Sequence, residues 1–543
     1  MGAHPIPVID IFAGPGGLSE GFARLGEHDW ESVLSSPLSP STAKPHTSPL
    51  PRFRIALSIE KDAHAHQTLE LRAFVRSFTG GPPAEYSAFL AGTLSRAALF
   101  DTFPGNAHAA RREAWHTALG PKDDHDQAGE PPAEVDRRIR VALGHITNKP
   151  WILIGGPPCQ AYSLAGRSRN RGKADYVPED DHRHYLYKEY LRILSVHGPA
   201  VFVMENVKGI LSARVDDDLI FHRILGDLRS PPRYGNATRV QYNLFSLSPR
   251  SQLSLHQPAD PRDYILKAES HGIPQARHRV ILIGIRADLA FTPPPLPCRK
   301  PVLVRDVISS LPPLRSGLTE LPDTLDTWRS LILESLDRRW FSSLAKRDRG
   351  PQLQAAIRKA VGDAANTELV RIHPVSPVRA SSRYAPDWFG NDKTLPICNH
   401  ETRAHISSDI HRYLFVSAWG TVHGRSPTLR DFPTDLLPDH LNALSAREGH
   451  GGFADRFRVQ IADKPATTIT SHISKDGHYY IHPDPSQCRS LTVREAARIQ
   501  TFPDNYFFCG PRTEQYHQVG NAVPPLLAVQ IARRVAEILA PHT

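Results

Sequence analysis

At 543 residues, with 22% charged and 40% hydrophobic residues, the chain is long enough for two or three domains, each burying its own core. A formal charge of +9 and a sequence pI near 9.3 suit a polyanionic partner, although a histidine- and arginine-rich makeup produces the same bias without one. Five cysteines with no Cys-x-x-Cys spacing argue against a disulfide framework or a structural zinc, and no apolar run approaches the ~20 residues of a membrane span, so a cytoplasmic protein without a membrane partner is expected.

In chain order, residues 6–12, with Val8-Ile9-Asp10-Ile11-Phe12, predict a first strand. It opens into the glycine-rich turn Ala13-Gly14-Pro15-Gly16-Gly17-Leu18 and then a helix. Ile55 to Glu60 predicts a second strand, and the Ser/Pro-rich stretch from Ser35 to Pro51 between them buries little and suits a surface loop. Residues 73–149 form a long insertion with a polar Gly/Pro/Asp portion at 120–133. From 150 to 290, apolar runs at 151–154, 200–204, 240–245 and 280–285 alternate with helical patterns near 184–197, 218–229 and 260–269. Such alternation predicts a doubly wound α/β domain whose chemistry lies beyond the strand C-termini. Pro293-Pro294-Pro295 suits a stiff linker, after which the pattern is irregular until about residue 465. Pro524-Pro525 starts a last helix that continues to Leu539.

The chemistry-bearing residues stand at those strand ends. Ile154-Gly155-Gly156-Pro157-Pro158-Cys159-Gln160-Ala161-Tyr162-Ser163 places Cys159 on a tight turn after an apolar run, where its sulfur projects from the sheet as a candidate nucleophile. Met204-Glu205-Asn206-Val207 offers a carboxylate at another strand end. In Gln275-Ala276-Arg277-His278-Arg279 the alternation puts Arg277 and Arg279 on one side of a strand, where a base or phosphate meets them together. Cys398-Asn399-His400 lacks the second pair that a metal site needs.

In this order the segments resemble the DNA (cytosine-5)-methyltransferase family: its cofactor loop, its Pro-Cys loop, its Glu-Asn-Val segment and its Gln-x-Arg-x-Arg strand. Arg494 to Gln500 and Gln518 to Pro525 are similar to its last two motifs. The resemblance implies a doubly wound, mainly parallel sheet of the S-adenosylmethionine-dependent methyltransferase type with a second, irregular target-recognition domain. Residues 1–313 would then be the catalytic and cofactor-binding domain, with insertions near 27–54 and 73–149. Residues 314–465 would be the target-recognition domain, and 466–543 a segment returning to the catalytic domain.

By the same resemblance, Cys159 adds to C6 of a cytosine flipped out of double-stranded DNA. Glu205, its pKa raised beside an apolar strand, donates near N3; Arg279 contacts O2, and Arg277 and Gln275 support the loop and the DNA backbone. The cofactor is S-adenosylmethionine. Asp10, Phe12, Ala13, Gly14, Gly16, Gly17, Leu18, Glu60, Lys61, Pro157, Asn521 and Ala522 are expected around it, with Phe12 stacking on the adenine and Glu60 on the ribose. Arg494 and Glu495 are expected to brace the two lobes. One departure is that Gly92-Thr93-Leu94 matches the third motif, where the family carries an Asp against the adenine, so either adenine binding is altered or the motif lies elsewhere in the insertion. Residues 161–184, with Ser163, Arg167, Arg169, Arg171 and Lys173 and hinges at Gly166 and Gly172, resemble the loop that closes over DNA.

Two other readings compete: an RNA (tRNA) cytosine-5 methyltransferase, and a catalytically silent DNA-binding homologue. The RNA branch has almost no recognition domain, whereas about 150 residues intervene here; silent homologues lack the nucleophile or the Glu, and both are present. The extended region 450–490, with His472 to His478, is similar to bacterial methyltransferases of restriction-modification or phage-defence clusters such as the DISARM type, which implies separate restriction or defence proteins as partners. A monomer is expected.

Overall fold

Aliphatic and β-branched runs buried on both faces build the central sheet, as a mainly parallel layer covered on both sides requires. The computed structural model describes residues 4–25, 52–120, 129–144, 149–157, 182–215, 218–235, 239–249, 260–372, 382, 384–389, 395–438, 455–475 and 477–542. The strands are β1 (Ile6–Ile11), β2 (Phe53–Glu60), β3 (Ala114–His116), β4 (Ile152–Gly155), β5 (Val201–Val207), β6 (Tyr242–Phe245), β7 (Ile265–Lys267) and β8 (His278–Arg286). Their spatial order is β3-β2-β1-β4-β5-β8-β6, with β7 beside β8. The first five are parallel to their neighbours, and β8 runs antiparallel to β5, β6 and β7. The chain leaves β1 first towards β2 and later returns to β4 on the other side, so the crevice between the C-terminal ends of β1 and β4 is the switch point where ligands bind in such sheets.

Alternation along each strand feeds two cores. Val8, Ile154 and Val203 join one face with Phe22 of helix α1 (Gly17–Ala23), while Ile9, Leu153 and Phe202 join the other. That second face is covered by α2 (His182–His197) and α3 (Ile220–Arg229). Phe202 is fully buried between Tyr190 and Tyr242; its truncation to Ala would cost ~3–5 kcal/mol. The last helix, α6 (Pro525–Leu539), lies in the same layer as α1, so close that a Cβ on Gly21 would meet Ala528 at 2.4 Å.

Three local expectations need correction. The segment near 260–269 is not a helix: two short 3-10 turns, 261–264 and 268–271, flank β7, whose Ile265 pairs with Val280 and Leu266 with Arg279. Pairing with β8 there outweighs a helix-favouring composition. Gly92 to Leu94, matched to the family's third motif, is a turn after helix 84–90, where the Thr93 hydroxyl donates to the Ala88 carbonyl at 3.0 Å, and the third strand is Ala114–His116, inside the long insertion. The stretch beyond the triple proline is more regular than its sequence suggests, with helices at 325–333 and 350–366 and α4 (Ser407–His423). Trp328, Leu353, Ile357, Tyr413 and Phe415 form a second core there, joined by Ile481 and Cys488. No helix among the described residues is long and apolar enough to cross a membrane.

Candidate active site

A cavity of about 820 Å³ opens at the switch point. Its walls come from the turn after β1, the ends of β2, β4 and β5, the start of β8, and the C-terminal helix α5 (Arg512–Asn521) with the residues that follow. Every cofactor candidate lines it except Gly16, which stands behind the turn at φ 91° as the left-handed cap of α1. The turn is pinned by the Tyr506 hydroxyl, which donates to the Pro15 carbonyl. Gly17 is held to glycine by closeness: a Cβ there would meet the Val523 carbonyl at 2.2 Å.

Two carboxylates mark the inner wall. Glu60 ends β2 and accepts the Gly14 and Asp62 N–H groups, each at 2.7 Å, so it fastens the glycine turn to the second strand. Burial raises its pKa against those bonds. Asp10 is 1% exposed, and neither of its oxygens has a hydrogen-bond partner among the described residues. Burial pushes its carboxyl up to about 8, and the Glu60 carboxylate adds to the rise. An orphaned buried acid on the cavity wall suits a cationic ligand. Phe12, Leu18 and Leu119 add apolar surface for a flat ring system.

On the opposite wall Glu205 and Arg279 meet, Nε to Oε1, at 3.0 Å. Glu205 thus has a cationic partner at the end of its apolar strand. Burial lowers the Arg279 pKa, opposed by Glu205. Arg277 is 2% exposed and donates to the Ile469 carbonyl at 2.7 Å and the Gly520 carbonyl at 3.2 Å; burial draws its pKa well down. Both arginines line the cavity. Gln275 does not: it is fully buried, donates to Gln500 Oε1 at 2.7 Å and accepts the Ile469 N–H at 3.0 Å. Its position ties the β8 entrance to the C-terminal segment and turns it away from any DNA backbone.

Cys159 and the basic loop, with Ser163, Arg167, Arg169, Arg171 and Lys173, lie outside the described residues, as does the Ser/Pro-rich stretch apart from its surroundings. What can be placed is the base of the Cys159 loop. Asn206 donates from Nδ2 to the Pro157 carbonyl at 3.0 Å and accepts the Val207 N–H at 2.8 Å, clamping the end of β4 to the end of β5. A Cβ on Gly156 would meet Glu205 Oε2 at 3.0 Å, so this loop leaves the sheet directly against the carboxylate.

Sequence reasoning missed Asn206 in this role, and it missed Thr117 and Leu119, which line the cavity just after β3 where the family's Asp was sought at Thr93. A three-residue strand within a helical insertion leaves no periodicity to find it by. It also missed His517, on the wall one helical turn before Asn521 and 3.4 Å from its Nδ2. Cys398 and His400 are taken up otherwise: Arg494 donates to Cys398 Sγ at 2.9 Å, and His400 bonds Thr492 Oγ1 at 3.0 Å. Arg494 also reaches the Pro503 and Tyr506 carbonyls. Glu495 takes a two-pronged bond from Arg489 at 2.6 and 2.7 Å, which holds its carboxyl well below the usual range despite burial.

A family model for C-5 cytosine-specific DNA methylases matches residues 134–537, most of the chain. The type II methyltransferase M.Bpa9945I of Bacillus paralicheniformis is 32% identical, covering 98% of this chain and 99% of its own. The type II methyltransferase M.AgeI of Thalassovita gelatinovora is 26% identical over 74% of this chain and 86% of its own. The DNA (cytosine-5-)-methyltransferase M.ApeKI of Aeropyrum pernix is 26% identical over 72% and 81%.

Proposed function

The chain belongs to the C-5 cytosine-specific DNA methylase family, and from that premise we propose that its switch-point cavity holds S-adenosylmethionine beside a cytosine turned out of duplex DNA, with Cys159 as the attacking nucleophile. One observation carries this reading: the buried acids Asp10 and Glu60 and the Glu205–Arg279 pair face the same cavity, one side suited to a cationic adenosyl ligand and the other to a polar heterocycle.

When bound, S-adenosylmethionine supplies the methyl group. Asp10 answers its positive charge, Glu60 faces the ribose, and Phe12 and Leu18 pack the adenine, with Thr117 and Leu119 in place of an acid there. C5 of cytosine is a poor nucleophile while the ring is aromatic. The Cys159 thiolate forms a bond to C6, Glu205 in its protonated form gives its proton to N3, and Arg279 answers the charge at O2. C5 takes the methyl group as its bond to the sulfonium sulfur breaks, which leaves a neutral thioether; the C5 proton then passes to water and the N3 proton returns to Glu205 as the thiolate is expelled and the ring restored. Asn206, Gln275 and Arg277 position the loops that carry these groups. Turning the base out costs a few kcal/mol of stacking and pairing, which contacts around the emptied site must recover.

We further propose that residues 314–465 recognise the target sequence, that 466–543 complete the catalytic domain, and that a separate restriction or defence nuclease acts on the same sequence. Expression in a methylation-free bacterial host, followed by sequencing for methylcytosine, tests the reading. Methylcytosine within one recurring short motif supports it. Methyl transfer to RNA but to no DNA would overturn it.

A further inference from the structure

Two smaller hollows continue outward from the catalytic cavity. The first, about 340 Å³, shares Val207, Gly209 and Arg279 with the main cavity and adds Lys208, His278 and Thr468. The second, about 530 Å³, shares Ala276 and Thr468 with the first and Thr470 with the main cavity, and ends at Arg458, His472 and Tyr479. Through these shared residues they run outward as one groove from the Glu205–Arg279 pair to Arg458, His472 and Tyr479.

Its chemistry is one-sided. No described Asp or Glu lines either hollow, in a chain with 56 acidic residues, whereas Lys208, Arg279 and Arg458 do. The floor is pinned: Thr468 Oγ1 donates to the Ala276 carbonyl at 2.6 Å, and Thr470 Oγ1 bonds the Tyr480 hydroxyl at 2.8 Å. With those hydroxyls engaged, contact with a ligand falls to the cations and to two rings at the far lip. His472 and Tyr479 meet edge to face with centroids 5.7 Å apart, and the Arg458 guanidinium lies 5.8 Å from the Tyr479 ring. Among the described residues Arg458 forms an ion pair with Asp455, itself half exposed, which a stronger anion can displace.

We propose that this groove is the track for the nucleotides flanking the methylated cytosine, with Lys208 and Arg458 on their phosphates and His472 and Tyr479 against the neighbouring base or sugar. The proposal rests on the DNA methyltransferase reading above and assigns residues outside the reacting centre. An acid-free groove with a rigid floor and aromatic lip meets the two needs of such a track, counter-charge and stacking surface.

The test uses the full-length protein with Lys208→Gln, Arg458→Gln, His472→Ala and, as a control away from the groove and outside residues 314–465, the exposed Arg137→Gln. Duplex DNA carrying the methylated motif is titrated at several salt concentrations, and S-adenosylmethionine binding and thermal unfolding report on folding. Lys208→Gln and Arg458→Gln should each weaken DNA binding about 3- to 10-fold and lower the slope of log affinity against log salt by about 1. His472→Ala should weaken binding with the slope unchanged, and all variants should bind S-adenosylmethionine within about twofold of wild type, as the control does throughout. Wild-type affinity and slope in Lys208→Gln and Arg458→Gln, with a wild type that methylates DNA, would overturn the track alone. A wild type that binds no DNA would overturn both the track and the reading beneath it.

Discussion

Replacing Asp10 by Asn should make the cofactor-free protein more stable and less able to bind S-adenosylmethionine. Burial holds the Asp10 carboxyl near 8 in the folded chain, against an ordinary value of 3.8. The folded state therefore keeps a proton between pH 4 and 8 that the unfolded state has released, so stability falls as pH rises through that window and levels off above it. At about 1.4 kcal/mol for each tenfold change in acidity, the full span is on the order of 5 kcal/mol, an upper bound because water reaches the cavity. For a unit of roughly 300 residues this corresponds to about 5–10 °C in Tm. Thermal unfolding of wild type and D10N from pH 5 to 9 isolates the effect in their difference. The variant should gain on wild type steadily towards pH 8. Added S-adenosylmethionine should stabilise wild type, and increasingly so with pH up to about 8, because the bound cation favours the carboxylate. Parallel pH profiles, or equal cofactor affinity in the two proteins, would refute the placing of Asp10 against the cofactor charge.

The Glu205–Arg279 pair predicts that E205Q slows methyl transfer by about 10²- to 10⁴-fold in single-turnover assays while DNA affinity changes only a few-fold; equal losses in both would recast Glu205 as structural. Freeing the Pro157 carbonyl in N206A should lower kcat by at least about tenfold with S-adenosylmethionine affinity near wild type, measured by calorimetry beside turnover, because the clamp acts on the Cys159 loop and not on the cofactor wall. A Cβ on Gly520 would meet the backbone of Thr470 and Ser471 at 2.3 Å. G520A should therefore part this segment from α5, lower the Tm and weaken cofactor binding, and a melt matching wild type would count against the close packing.

Strands β1, β2, β4, β5 and β8 were readable because each is a short aliphatic run buried on both faces, a pattern that surface helices do not give. β3 was not, since Ala114-Trp115-His116 is too short to show a period and sits among helices. Ile265 and Leu266 looked helical because the residues beyond them favour helix, and only the distant partner Val280 makes them a strand. At the site, the residues beside glycine turns and strand ends were legible one by one. Their partners were not: Gln275 meets Gln500, Arg277 meets Gly520, and Tyr506 meets Pro15 across hundreds of residues, contacts that no local spacing encodes. The same distance explains why Gln275 was expected at the DNA and stands instead in the core. The helices at 325–333 and 350–366 carry Trp328, Leu331 and Ile332, then Leu353, Ile357, Val361 and Ala364, an apolar face at helical spacing that the surrounding prolines and charges obscured.

The central claim is a covalent adduct between Cys159 and the cytosine ring. Its most direct measurement is trapping with a duplex in which 5-fluorocytosine replaces the target cytosine, since fluorine at C5 blocks the elimination that would release the enzyme. With S-adenosylmethionine present, the account predicts a denaturation-stable protein–DNA complex, a single modified peptide containing Cys159, and no complex with Cys159→Ser. A wild type that methylates ordinary DNA yet forms no trapped complex, or one whose adduct maps to another residue, would contradict it.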